Sequence, residues 1–358
     1  GLTQLFGHQE YGGMEFPNVI SVLSDEMSCA ANMSLGIYLG LTKGAYHCIH
    51  KHGSEEIRQR YLPKFLSGEW FGTMCLTEAH CGTDLGLIRT TATPDGDKYS
   101  VSGQKIFISC GEHDMAENII HLVLARLPDA PKGVKGISLF LIPKYKVNED
   151  GTLGDHNNVN CVSIEEKMGV HGSATCVMSF EDSEGYLIGE LNEGLAAMFS
   201  MMNTERIAVG LQGLGQAEIA YQNALAYAKD RIQGRDLKGP KNPDDEADPL
   251  IVHPDIRRML MRSKALIDSG RMLASWTALS IDKSEKDPDA KVRKEHNDLV
   301  ELMTPIIKAL LTDYGVEITS EMMQVFGGHG YIKEYGMEQF YRDVRIAPIW
   351  EGTNGIQA

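Results

Sequence analysis

Hydrophobic residues recur at helical intervals from Asn18 to His50, where Ile20, Leu23, Met27 and Ala31 are spaced three or four apart. Ser54 stands directly before EEIRQRYLPKFL, with Glu55 and Glu56 in the first turn, which predicts a capped helix. Residues 16 to about 68 therefore read as helical. The pattern then changes. Short β-rich runs at Tyr99 to Ser109, His121 to Arg126 and Ile137 to Ile142 are separated by turn signals such as Pro94-Asp95-Gly96. From Gly194 the helical period returns, with Ile207, Leu211, Leu214, Tyr221, Leu225 and Ala228 in step. Two further helices are expected, from about Pro254 to Asp282 and from about Asn297 to Phe326, with Pro305 starting or bending the second. KGPKNPDDEADP (residues 238–249) is a polar, Pro-rich loop between helices, and no internal repeat occurs. The order predicts an α+β fold: a helical N-terminal domain over 1–68, a middle β domain over 69–190 and a C-terminal helical bundle over 191–358.

Charge narrows the functions available. Lys and Arg number 34 against 49 Asp and Glu, a net charge of −15. That balance argues against nucleic-acid binding, and any anionic ligand must be met by local Arg or Lys. No apolar run of about 18 residues exists, so no membrane span is expected. The opening residues lack a basic stretch followed by an apolar one, so they do not read as a signal peptide. They also begin without Met, and the end falls inside a motif. The chain is therefore expected to be a piece of a longer protein, lacking the start of its helical domain and any further C-terminal domain. The seven cysteines form no CxxC pair, which points to reduced thiols and a cytoplasmic compartment rather than disulfides or zinc.

Several motifs fail on context. Gly210 to Gly215 is glycine-rich but sits within a helical pattern, which favours a close helix crossing over a dinucleotide loop. NEDGTLG (148–154) places its Gly wrongly for a calcium loop, and His80 beside Cys81 is no metal-ligand set. TEAHCGTD is stronger, because a strand running into a loop with Gly82 and Thr83 offers N–H groups and hydroxyls to a ring carbonyl or a phosphate. GQKIFIS puts Phe107 and Ser109 on the same strand face.

TEAHCGTD, GQKIFIS, KMGVHGSAT, NTERIAVG, QVFGGHGY and YRDVRIAPIWEGTNGIQ, in this order, resemble the acyl-CoA dehydrogenase family over essentially the whole chain. The loop between Ile142 and Val162 is most similar to the larger bacterial branch. That branch includes 3-methylthiopropanoyl-CoA and medium- to long-chain dehydrogenases. The resemblance implies an FAD-dependent oxidoreductase of fatty acid metabolism and β-oxidation. It converts an acyl-CoA to the 2-enoyl-CoA and passes electrons to an electron-transfer flavoprotein. An acyl-CoA oxidase and a non-catalytic structural paralogue are the alternatives.

By the same resemblance, Glu351 in Trp350-Glu-Gly-Thr353 is the base. Its backbone N–H meets the thioester carbonyl, and desolvation is expected to move its pKa toward neutrality. Glu205 is a second candidate, since some branches place their catalytic carboxylate there; the plain alternative is an ion pair with a nearby Arg. The FAD contacts implied are Leu76, Thr77, Thr83, Phe107, Ser109 and Thr353. Arg231, Gln324, Val325, Gly327 and Gly328 serve the diphosphate and adenine side. Phe107 stands where many members carry Trp, and Gly355 departs from a frequent Gln. Thr83, Ser173, Asn203, Arg206 and Gly352 match substrate positions, with Arg206 facing the nucleotide part of CoA. Arg231 reaching a neighbour's FAD implies a homodimer or a dimer of dimers.

Overall fold

The computed structural model describes all residues, 1–358. The first helical stretch is broken in two. Helix α1 (Asn18–Ala31) stops at Asn32, whose backbone is extended, and α2 (Met33–His52) restarts with the Asn32 Oδ1 accepting from Leu35 N–H. The apolar period runs on through the break, so sequence spacing did not reveal it. Helix α3 (Glu55–Ser67) begins as expected: Ser54 Oγ accepts from Ile57 N–H at 3.3 Å, and Gly68 closes the helix at φ +79°.

Nine strands follow: β1 (Trp70–Cys75), β2 (Thr91–Asp95), β3 (Lys98–Ser109), β4 (Asn118–Ala125), β5 (Ser138–Pro143), β6 (Tyr145–Val147), β7 (Leu153–His156), β8 (Val159–Ile164) and β9 (Thr175–Ile188). Seven form one sheet in the order β1-β4-β5-β9-β3-β2, with β8 also on β9, while β6 and β7 pair separately. Only β1 and β4 run parallel; the remaining pairs are antiparallel. Strand β9 is the hub. Its far end pairs with β5, Leu139 opposite Ile188, and its length serves β3 and β8. Val101, Val123, Phe140, Met178 and Phe180 pack the core of this region.

The chain turns helical again with α4 (Gly194–Asp230), α5 (Pro254–Lys286), α6 (Ala290–Val325), α7 (Gly328–Tyr331), α8 (Met337–Val344) and α9 (Asn354–Gln357). Helix α6 starts earlier than its apolar period suggests. Asp289 caps it, accepting from Lys291 N–H, and the helix runs unbroken through Pro305. Its first turns are polar and carry no apolar stripe, so only the cap marks the start. Pro305 therefore does not start the helix.

The fold divides into two compact units. One holds residues 1–16, 37–167 and 171–205; the other holds 17–36, 168–170 and 206–358. In the second, Leu211, Leu214, Ile267, Ile307, Leu311 and Ile318 form the core. Helices α4 and α6 cross closely there: a Cβ on Gly213 would stand 2.4 Å from Leu311 O. The glycine-rich run thus serves helix packing. Arg271 ties α5 to α1 and α4, donating to Glu26 and Glu218 at 2.6 and 2.7 Å. All seven cysteines are free, and all but Cys161 are buried. No helix is long and apolar enough to cross a membrane.

Candidate active site

Glu351 lies in the short segment between α8 and α9. Its backbone is left-handed, φ +56°, and Gly352 follows at φ +82°. A non-glycine residue in that region costs about 1–2 kcal/mol, so surrounding structure must hold it there. Two anchors are visible. Asn354 N–H donates to Pro348 O at 3.0 Å, and Gln357 Nε2 donates to Gly352 O at 3.1 Å. A Cβ on Gly352 would meet that Gln357 Nε2 at 2.4 Å and would lie 3.7 Å from Arg206 Nη2. The positive φ favours glycine at this position, and any larger residue would also have to push the Gln357 amide aside.

Burial of the Glu351 carboxyl raises its pKa from 4.5 to about 7, against the opposing pull of the Arg206 and Lys308 cations. Lys308 on α6 is fully buried. Desolvation brings its ammonium down to about 8, while Glu351 and Asp313 favour the charge and Arg206 opposes it. Its Nζ donates to Asn354 Oδ1 at 2.8 Å. A carboxyl group that changes protonation near neutral pH, on a strained and anchored backbone, suits reversible proton transfer. Thr353 beside it is exposed.

In the first unit, Leu76 and Thr77 leave β1 and lead into the loop carrying Thr83. Leu76 is nearly buried, Thr77 half-buried and Thr83 exposed. A buried pair fixes this loop from below. Lys105 Nζ donates to Glu78 Oε1 at 2.8 Å and to Leu76 O at 3.0 Å. Glu78 also accepts from Thr90 N–H, Thr90 Oγ1 and Arg89 N–H. Glu78, His80 and Cys81 bring possible ligand atoms within 4.8 Å of one another. The Glu78 carboxylate is already committed to Lys105 and the Thr90 segment.

Strand β3 carries a register irregularity between Lys105 and Ile108, and within it Phe107 adopts φ +57° with 60% of its surface exposed. The irregularity precedes Ile108, and exposure still alternates from Phe107 through Ser109. Ile108 between them is buried, Ser109 is half-buried, and Phe107 projects outward. An apolar ring presented to solvent on a strained backbone fits a flat aromatic ligand such as a flavin.

The remaining candidates divide by exposure. Ser173 is buried, its Oγ 3.6 Å from Cys110 Sγ, and its carbonyl accepts from Lys167 Nζ at 2.7 Å. Asn203 is exposed on α4. Glu205 is buried beneath α2, close enough that a Cβ on Gly44 would stand 2.7 Å from its Oε1. In the second unit Arg231 is exposed immediately after α4, with Nη2 at 3.5 Å from Gln233 Oε1. Gln324 is exposed, whereas Val325 is buried and can offer only its backbone to a ligand. Gly327 takes φ +57°, ψ −137°, and a Cβ on Gly327, Gly328 or Gly355 would meet nothing within 4 Å. That open backbone suits a diphosphate or an adenine.

Sequence models of known families match in three pieces. They are the acyl-CoA dehydrogenase N-terminal domain at 1–69, the middle domain at 73–183 and the C-terminal domain at 192–358. An acyl-CoA dehydrogenase of Bacillus subtilis is 30% identical over all of this chain and 85% of its own length. The chain belongs to the acyl-CoA dehydrogenase family. A 3-methylmercaptopropionyl-CoA dehydrogenase of Ruegeria pomeroyi is 48% identical over 100% of the chain, which spans 60% of that relative's length. The structure of butyryl-CoA dehydrogenase from Megasphaera elsdenii superposes with a TM-score of 0.83 at 28% identity, covering all of this chain and 85% of the other. The helical, β and helical domains are those of the acyl-CoA dehydrogenase fold.

Lys105, Glu78 and Lys308 escaped sequence reasoning. The signal was present for Lys308: it falls on the stripe Thr304, Ile307, Lys308, Leu311, Thr312 and Gly315, the buried face of α6. A cation on an apolar stripe marks an internal partner.

Proposed function

We propose that this chain catalyses α,β-dehydrogenation of an acyl-CoA thioester, with Glu351 taking the α-proton. The observation that carries this is the Glu351 carboxyl, poised near pH 7 on an anchored, left-handed backbone. The Glu351 carboxylate accepts the proton as the α-carbon loses it, and the backbone N–H of Glu351 donates to the thioester carbonyl. Arg206 and Lys308 keep the carboxylate form accessible in a desolvated setting. Bound FAD would supply the acceptor for the β-hydrogen as hydride, and its loss together with the α-proton would leave a 2-enoyl-CoA. Leu76, Thr77, Thr83, Phe107, Ser109 and Thr353 would hold the flavin. Arg231, Gln324 and the backbone of Val325, Gly327 and Gly328 would hold its diphosphate and adenine. Ser173, Asn203, Arg206 and Gly352 would face the substrate.

The substrate class follows the similarity to the Ruegeria protein: a short thioether acyl chain, 3-methylthiopropanoyl-CoA, ahead of butyryl-CoA. An electron-transfer flavoprotein is the acceptor, and the working unit is a homodimer or a dimer of dimers. The test is anaerobic addition of each acyl-CoA to the FAD-loaded protein. Bleaching of the yellow flavin, with re-oxidation by an electron-transfer flavoprotein, is expected. Failure to take up FAD would favour a structural paralogue, and rapid re-oxidation by dioxygen an oxidase.

A further inference from the structure

The segment that carries Glu351 holds one strained non-glycine residue followed by a glycine at positive φ, and it ends in an anchor of unusual density. Asn354, the first residue of α9, touches α6 through every polar atom of its side chain. Its Oδ1 accepts from Lys308 Nζ at 2.8 Å, and its Nδ2 donates to Asp313 Oδ1 at 2.8 Å. Nδ2 also lies 3.0 Å from Thr312 Oγ1 and 3.3 Å from Ala309 O. One turn and a half of α6 therefore grips one side chain, three residues beyond the base.

Lys308 is fully buried on the apolar stripe of α6, where leucine or methionine would pack without losing hydration. A desolvated ammonium is retained at a cost, which calls for a charge to answer. The charged groups around it are Glu351, Asp313 on its own helix and Arg206 on α4. Those bearing on Glu351 are Arg206 and Lys308 alone.

We propose that Lys308 is a positioning residue for the base: through Asn354 it pins the strained segment, and its buried charge offsets the desolvation of the Glu351 carboxylate. The inference rests on the reading of Glu351 as the base. It assigns two duties to one side chain, one mechanical and one electrostatic, and they separate experimentally.

The test uses the full, FAD-loaded chain without substrate. Infrared pH-difference spectra follow the protonated-carboxyl band that disappears in Glu351→Gln, and hydrogen exchange follows the amides of residues 350–357. In Lys308→Met the Glu351 titration should move up by about one pH unit, since an opposite charge has been removed. Exchange in the segment should rise at least about tenfold while α5 stays protected. Asn354→Ala changes no residue of α6 and should reproduce the faster exchange; it decides the mechanical duty even if Lys308→Met does not fold. An unmoved titration in folded Lys308→Met would overturn the electrostatic duty. Unchanged exchange in Asn354→Ala would overturn the mechanical one. Flavin bleaching retained in Glu351→Gln would remove the base assignment while leaving both of these results standing, so the two failures are distinguishable.

Discussion

Replacing Glu351 by Gln should make the protein more stable at alkaline pH as it abolishes proton abstraction. Folding raises the carboxyl pKa from 4.5 to about 7. Over that window the native state holds a proton that the unfolded chain has released, so the free energy of unfolding falls as pH rises. The wild type is at full strength below the unfolded value and has lost this contribution above the folded one. At about 1.4 kcal/mol for each tenfold in proton affinity, the loss is about 3 kcal/mol. Gln is isosteric and has no such slope. The stability of wild type minus that of Glu351→Gln should therefore drop by about 3 kcal/mol between about pH 4 and about pH 8. Urea titrations at a series of pH values, with both proteins in the same FAD state, measure the difference directly. Stopped-flow flavin bleaching should meanwhile rise with pH to a midpoint near 7 in the wild type and fall by about 10²-fold or more in the variant. Parallel stability curves for the two proteins across this range would refute the argument, because they would mean that folding leaves the Glu351 carboxyl unperturbed.

Gly352→Ala forces a side chain onto φ +82° and against Gln357; the segment should lose about 2–3 kcal/mol from strain and a displaced hydrogen bond, seen as a greater fall in flavin reduction than in melting temperature. Equal rates of reduction in the two proteins would count against it. Arg271→Met strips Glu26 and Glu218 of their shared cation. Part of Arg271 reaches solvent, so about 2–3 kcal/mol rather than the full cost of a buried pair should be lost in urea denaturation, and a loss below about 0.5 kcal/mol, the scale of a surface pair, would refute this reading.

The layout of helix, sheet and helix was legible because each region holds one period for many residues. What escaped was local and polar. Asn32 breaks a helix without interrupting its apolar spacing, and Asp289 starts one where no apolar stripe exists. The bulge at Phe107 depends on how β3 meets β9, which alternation within one strand does not encode. Glu351 was readable only through the motif around it. Its two cationic neighbours come from positions 206 and 308, far away in the chain, and burial of a lysine depends on what the folded helix faces. Glu205 was read with two meanings, and its place under α2 against Gly44 adds a close steric neighbour that spacing did not suggest.

The hub position of β9 also sets the order in which the sheet can be assembled. Every strand it joins, β3, β5 and β8, is made earlier, and β3 by more than half the length of the region. A growing chain that has not yet reached Thr175 holds three strands whose edges face the place β9 will fill. Closing the sheet requires contacts between residues as distant as Tyr99 and Gly185, a long-range step that proceeds slowly compared with helix formation. Until then those open edges are templates for the same strands of another nascent chain. The protein's vulnerable interval therefore opens during synthesis and lasts at least as long as the ribosome takes to travel from β3 to the end of β9.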